Sequence, residues 1–315
     1  MSHKKRKQMA KQKKRATLED FRNRLEAINP NLFSMLSAPK THFSFRVNLT
    51  RTTVQEVLEK LKLEGIEPES VEWCKEAFVL PIESRVALVK SKPYSGKEVY
   101  IQNLSSIFAA ISLKIEPEFW VLDLAAAPGG KSLIFSERAN KVSAVEPDKN
   151  RFFMMKRNFK ESLVKNIQTY NKDGRFIYKA CPQWFDAVFL DAPCSSEAHI
   201  DIAKGITWWS PRRIYKFAKL QKELIISAFE SLKNGGEMIY ATCTFAPEEN
   251  EAVVNYLLNK YDNAKVLPVS HNLENTQEGI TKWQDEVYST EVTKTLRFLP
   301  NGAFSGFYMA KIGKD

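Results

Sequence analysis

Two hydropathy regimes divide the chain. In the first, apolar positions come at mixed spacing. Leu18, Phe21, Leu25 and Ile28 recur at helical intervals behind Thr17 and Asp20, which read as a capping box. FSFRVNL (43–49) alternates like a strand, and TTVQEVLEKLKLEGI (52–66) reads as an amphipathic helix stopped by Gly65. Residues 71–100 suggest short strands around the turn SKPYSGK, and a helix is expected within 102–118. Residues 16–110 are therefore expected to form a small α+β domain. From 119 onward the runs become continuous: FWVLDLAA, KVSAVEPD, IQTYNKDGR, FDAVFLDAP and GEMIYATCT. Helical stretches separate them: SLIFSERA, KNRFFMMKRNFKESLV and the long segment 212–236, which ends in a Gly-Gly cap signal. Another helix is expected to start at Pro247. TLRFLP and GFYMAKIG offer two last strands, and polar 262–292 reads as loops. Continuous apolar strands alternating with helices predict an α/β fold over 111–315, a parallel sheet with helices on both faces.

Composition narrows the class. The 315 residues are 43% apolar, enough for one large domain and a small one. No apolar run approaches the ~18 residues that span a bilayer, and the N-terminus lacks a signal-peptide core. Four cysteines without repeated spacing make no disulfide framework. Free thiols in a reducing, cytoplasmic compartment are expected. The four histidines are scattered and no CxxC occurs, so no metal is expected. Net charge is +10, but eight Lys/Arg and no acids fall within residues 1–15. Such a tail is expected to be disordered alone and to bind polyanions.

An open parallel sheet binds ligands beyond the carboxyl ends of its strands. There the sequence places Asp123 with the turn Ala125-Ala126-Ala127-Pro128-Gly129-Gly130-Lys131, then Glu146, Asp173, Asp191 with Cys194, and Cys243. Glu146 follows the Gly-rich turn by about twenty residues, where a carboxylate accepts from ribose hydroxyls. Asp173 suits an adenine edge. A nucleoside pocket results. AAAPGGKS also nearly fits a P-loop, but a phosphate cradle uses successive backbone N–H groups and Pro128 has none.

A lone Cys at a strand end is usually a small buried apolar residue. Two on one functional edge suit covalent chemistry. If the cofactor is S-adenosylmethionine and the acceptor a pyrimidine, a thiolate adding to C6 makes C5 nucleophilic toward the methyl group. A base then removes the C5 proton and the thiol leaves.

VLDLAAAPGGKS, AVEPD, NKDGR, DAPCSS and YATCTFAPEEN resemble the ordered motifs of the Sun (Fmu, Nol/Nop) family of RNA cytosine-5 methyltransferases. FRVN around Arg46, VEWCKEAFVL with GKEVYIQNLSS, and LRFLPNGAFSGFYMAKI extend the resemblance over nearly the whole chain, toward the bacterial small-subunit rRNA members. The resemblance implies a Rossmann-like class I methyltransferase sheet preceded by an RNA-binding α+β domain. It implies S-adenosylmethionine held by Ala125–Lys131, Glu146, Asp173 and Asp191. It makes Cys243 the nucleophile on C6 and Cys194 the residue that assists product release, with Asp191 near cytosine N3. The implied substrate is RNA, 16S rRNA before tRNA, bound by a monomer. PCSS and TCT stand where the family often has PCSG and TCS. The loop after Cys194 lacks a basic run. No C-terminal RNA-binding domain is expected, and the tail is expected to substitute. The basic helices at Lys149–Lys160 and Arg212–Lys219 are RNA-facing candidates, and Trp208 and Trp209 suit stacking or core packing. Rival readings are a non-catalytic ribosome-assembly factor, which intact Cys194, Cys243 and Asp191 oppose, and a P-loop NTPase.

Overall fold

The computed structural model describes residues 16–315; the basic tail lies outside the described residues. Four strands come first: β1 (His42–Val47), β2 (Glu69–Val71), β3 (Cys74–Pro81) and β4 (Val99–Ile101). They form an antiparallel sheet in the order β2-β3-β1-β4. The helix Val54–Leu63 lies against it because Val57 and Leu61 fall on one face and bury fully with Phe45 and Val47. Each such side chain contributes roughly 1.5–3 kcal/mol. Thr53 and Glu56 close a reciprocal capping box at its start, and Gly65 at φ +72° ends it. The short strands expected over 71–100 are interrupted by two helices, Arg85–Lys90 and Lys92–Ser95. Ser91 caps the second and Pro93 lies in its first turn, so SKPYSGK starts a helix instead of a hairpin.

The helix Leu18–Ile28 has the expected Thr17–Asp20 capping box. Its buried face, Phe21, Leu25 and Ile28, joins the core of the large sheet with Leu122, Val188 and Tyr240, apart from the small sheet's core. The small sheet is tied on by Arg46, whose guanidinium donates to both Glu137 carboxylate oxygens at 2.7 and 2.8 Å, both side chains being buried. That gives the FRVN motif a structural task.

The large sheet contains β5 (Trp120–Asp123), β6 (Lys141–Val145), β7 (Ile167–Tyr170), β8 (Phe185–Asp191), β9 (Leu232–Thr242), β10 (Ala264–Leu267), β11 (Thr276–Glu278), β14 (Leu296–Phe298) and β15 (Phe307–Lys314). Its order is β11-β14-β15-β9-β8-β5-β6-β7, with β10 also on β15. Strands β5 to β9 run parallel and the rest pair antiparallel. The chain steps outward from β5 to β7, then returns to β8 on the other side of β5. That reversal opens a crevice at the carboxyl ends of β5 and β8.

Three local expectations are corrected. Residues 262–292, expected as loops, hold β10, β11 and a hairpin of β12 (Lys282–Trp283) and β13 (Glu286–Val287). All are short; β10 and β11 take their pairing from distant β15 and β14, and β12 and β13 pair over only two residues each, so their hydropathy alternates weakly. The helix Pro211–Ser231 does not end in a Gly cap; it passes directly into β9, and Gly235 and Gly236 lie in the strand. A Cβ on Gly236 would sit 2.8 Å from the Asp186 carbonyl oxygen. The last major helix begins at Glu251, not at Pro247, because 247–250 are spent on turns that aim Glu249 inward. No helix among the described residues is long and apolar enough to cross a membrane.

Candidate active site

The crevice holds a cavity of about 500 Å³. Ala125 and Ala127 follow β5, Glu146 follows β6, Asp173 follows β7, Asp191 ends β8 and Cys194 lies just past it. Cys243, just past β9, forms the far wall. Ala126, Pro128, Gly129, Gly130 and Lys131 shape the turn without lining the cavity. Gly129 adopts φ +107° and sits against Phe159, where a Cβ would approach to 2.6 Å. No other residue fits there without displacing that ring. The Ala127–Pro128 peptide is cis.

Glu146 is buried, and its Oε1 accepts the Asp148 N–H at 3.0 Å. Its Oε2 lies 3.3 Å from Arg151 but makes no hydrogen bond. A buried carboxylate oxygen facing a cavity in this state suits a pair of hydroxyl donors. Arg151, expected on an RNA-facing helix, turns inward and donates to the Ala127 carbonyl at 2.7 Å, bracing the turn. Asp173 is held by Arg175 in a fork, with contacts of 2.7–3.1 Å. That hydrogen bonding lowers its pKa. Asp123 is not part of the cavity; it is buried, accepts from Ser132 Oγ at 2.6 Å, and burial pushes its pKa up to about 7.

Lys131 reaches across and donates to Asp191 Oδ2 at 2.5 Å. Burial works against its charge, but the Asp191 carboxylate outweighs it and raises the lysine's pKa. The two thiols meet beside this pair, Cys194 Sγ standing 3.2 Å from Cys243 Sγ. One proton between two sulfurs divides their titrations. The hydrogen bond from Cys194, aided by His199, lowers Cys243 to about 5, while the same contact and burial raise Cys194 well above its ordinary value. The contact therefore favours the thiolate at Cys243, the reactive form of the residue.

Buried carboxylates set the thiols' positions. Glu197 accepts from Trp209 Nε1 at 2.7 Å, Thr244 Oγ1 at 2.9 Å and the Phe245 N–H at 3.1 Å, stitching the two cysteine loops together. Glu249 accepts the Ser195 N–H and Gln221 Nε2, both at 2.9 Å, and burial pushes its pKa up to about 8. Trp209 is a core residue, edge-on to Phe21 at 4.9 Å. Trp208 stays partly exposed beneath Arg213, 5.4 Å from the ring centroid. Sequence reading missed His199, whose pKa the neighbouring Cys243 raises. The only available signal was its place in the loop after DAPCSS.

The thiol pair predicts an unusual alkylation profile. In a Cys181→Ser background, iodoacetamide modification of Cys243 should stay near its maximum at neutral pH and fall only as pH drops through about 5. An ordinary thiol loses reactivity below about 8.5. Removing the hydrogen-bonding partner with Cys194→Ala should move the midpoint upward. Peptide mass spectrometry reads both midpoints, and an unshifted midpoint in the variant would disprove the coupling.

The strand order, the antiparallel β15 and the crevice at β5 and β8 define a class I methyltransferase. The chain belongs to the family described as 16S rRNA methyltransferase RsmB/F, which matches residues 110–313. A tRNA (cytosine(49)-C(5))-methyltransferase of Pyrococcus abyssi is 35% identical over 277 residues, covering 86% of this chain and 88% of its own length. A ribosomal RNA small subunit methyltransferase F of Pectobacterium carotovorum is 32% identical over 286 residues. The chain spans only 56% of that bacterial relative. A solved methyltransferase homolog from Pyrococcus horikoshii aligns at a TM-score of 0.77 with 27% identity over 90% of each chain.

Proposed function

We propose that this chain is an S-adenosylmethionine-dependent RNA cytosine-5 methyltransferase acting in the cytoplasm. The observation that carries the reading is the 3.2 Å approach of Cys194 and Cys243 at the wall of a nucleoside-sized cavity. Glu146 would accept from the cofactor's ribose hydroxyls, Asp173 would meet its adenine, and the turn from Ala125 to Lys131 would enclose its remaining part. Bound there, S-adenosylmethionine supplies an electrophilic methyl group. The Cys243 thiolate adds to C6 of an extruded cytosine, which places electron density on C5. Asp191, held by Lys131, would bind the ring near N3; to give N3 the proton that the addition needs, it must itself be protonated. After methyl transfer the C5 proton leaves to a base, the Cys243–C6 bond breaks, and Cys194 assists that release as the neighbouring thiol. A P-loop reading leaves Glu146 and both thiols without tasks.

16S rRNA is the proposed substrate. A tRNA is the second reading, favoured by how much of the archaeal tRNA enzyme's length this chain covers. Incubation with labelled S-adenosylmethionine and total cellular RNA, followed by sequencing for 5-methylcytosine, decides between them. Label in C5 of small-subunit rRNA is expected. Label confined to tRNA selects the second reading, and no label in any RNA overturns the function.

A further inference from the structure

Strands β8 and β9 are neighbours in the sheet, with Asp191 opposite Ala241, so the loops that leave them start side by side. Cys194 lies three residues past Asp191, and Cys243 two past Ala241. Hydrogen bonds then clamp the two loops together. The Ala192 N–H donates to the Ala241 carbonyl at 2.8 Å and the Ala198 N–H to the Cys243 carbonyl at 3.2 Å. The Ser195 and Thr244 hydroxyls bond each other at 2.8 Å, and Glu197 accepts from Thr244 and the Phe245 N–H. This frame holds the two sulfurs 3.2 Å apart. A disulfide bond is about 2.05 Å long, so each sulfur need travel only roughly 0.6 Å, a side-chain motion that leaves the frame in place. The thiols differ in exposure. Both line the first cavity, but Cys243 is half-buried and Cys194 is buried. A small oxidant entering the cavity meets Cys243 first, with Cys194 within reach to follow.

We propose that Cys194 and Cys243 form an oxidative modification site, which a hydroperoxide closes to a reversible disulfide. The Cys243 sulfur attacks one oxygen of the hydroperoxide and the O–O bond breaks. Cys243 becomes a sulfenic acid, and the other oxygen leaves as an alcohol, or as water from hydrogen peroxide. The Cys194 sulfur then bonds the Cys243 sulfur, the S–O bond breaks, and the hydroxyl leaves with the Cys194 proton as water. Two thiols thus give up two electrons and two protons, and the hydroperoxide is reduced to an alcohol and a water. A reducing thiol reverses the bridge by attacking one sulfur and releasing the other. In a reducing compartment such a bond is transient and senses oxidant. The bridge consumes the nucleophile, so the protein is inactive while oxidised. It also protects Cys243, because an unresolved sulfenic acid oxidises on to the irreversible sulfinic acid. The site needs only the thiol pair and goes beyond the proposed methylation.

The reduced full chain is exposed to hydrogen peroxide, quenched with catalase, alkylated with N-ethylmaleimide under denaturing conditions and digested without reductant. Mass spectrometry should find the peptides bearing Cys194 and Cys243 joined, within one chain at every protein concentration, and separate again after dithiothreitol. Cys181, also half-buried but with no thiol beside it among the described residues, is the internal comparison and should oxidise without a cross-link. In Cys194→Ala the sulfenic acid has no partner, so dimedone should label Cys243 several-fold more than in the wild type. RNA methylation by the wild type should fall in step with the cross-linked fraction and return on reduction. Cys243 found as sulfinic acid with no bridge, a bridge to Cys181 instead, or equal dimedone labelling in wild type and variant would overturn the site. Methylation that persists at full cross-linking would overturn it as well. If the untreated protein methylates no RNA, the proposed function falls, and the peptide map still decides the site.

Discussion

Cys243→Ala should abolish RNA methylation, a loss on the order of 10⁴-fold or more, as for other nucleophile deletions. Cys194→Ala should behave differently. It leaves the nucleophile in place but removes the neighbouring thiol 3.2 Å away, so RNA should accumulate on the protein as an adduct that survives denaturing electrophoresis. The two phenotypes separate because the cysteines occupy different electrostatic positions. Cys243 faces His199 and carries the charge, whereas Cys194 is buried and holds the proton. The alanine at 194 should also slow adduct formation below neutral pH, since Cys243 loses the partner that most lowers its pKa. Adduct in Cys243→Ala, or its absence from both variants, would reverse or remove these roles.

Arg297→Leu should cost about 3–5 kcal/mol, the usual penalty for stranding one member of a buried ion pair. Arg297 is 3% exposed; its Nε and Nη2 donate to Glu251 at 2.6 and 2.5 Å and its Nη1 to the Phe245 carbonyl at 2.9 Å. Glu251 is fully buried and also accepts the Ile280 N–H at 3.1 Å. Leucine would leave that carboxylate without a counter-charge and the Phe245 carbonyl without its guanidinium donor. A domain of this kind has only about 5–15 kcal/mol in hand, so the midpoint of urea unfolding should fall by a large fraction. Phe245 lies two residues past Cys243, so methylation should fall as well. Removing both charges, with Arg297→Leu and Glu251→Leu together, should recover much of the stability, because the strandedness and not the loss of the pair dominates the cost. A loss under about 1 kcal/mol in the single variant would mean that water reaches Glu251.

The pattern of the sequence determined the strands β5 to β9, β14 and β15 and most of the major helices between them. Buried parallel strands must be apolar along their length, and helix caps are local hydrogen bonds, so both leave marks within a few residues. The order of Asp191, Cys194 and Cys243 at strand ends was legible for the same reason. Tertiary structure decided the rest. Nothing near Cys194 shows that Cys243, 49 residues on, comes within 3.2 Å. Nothing near Lys131 shows that it crosses to Asp191, or near Arg46 that it binds Glu137. His199 looked like one of four scattered histidines until the turn at 197–199 set it against a thiol. The helix Leu18–Ile28 was readable as a helix, but its attachment to the large core was not, because amphipathicity says that a face is buried and not against what. The edge strands β10 and β11 went unread because their hydrogen bonds come from β15 and β14, tens of residues away. Local structure follows from short-range sterics and hydropathy, whereas the chemistry here depends on charges and thiols brought together by chain reversal.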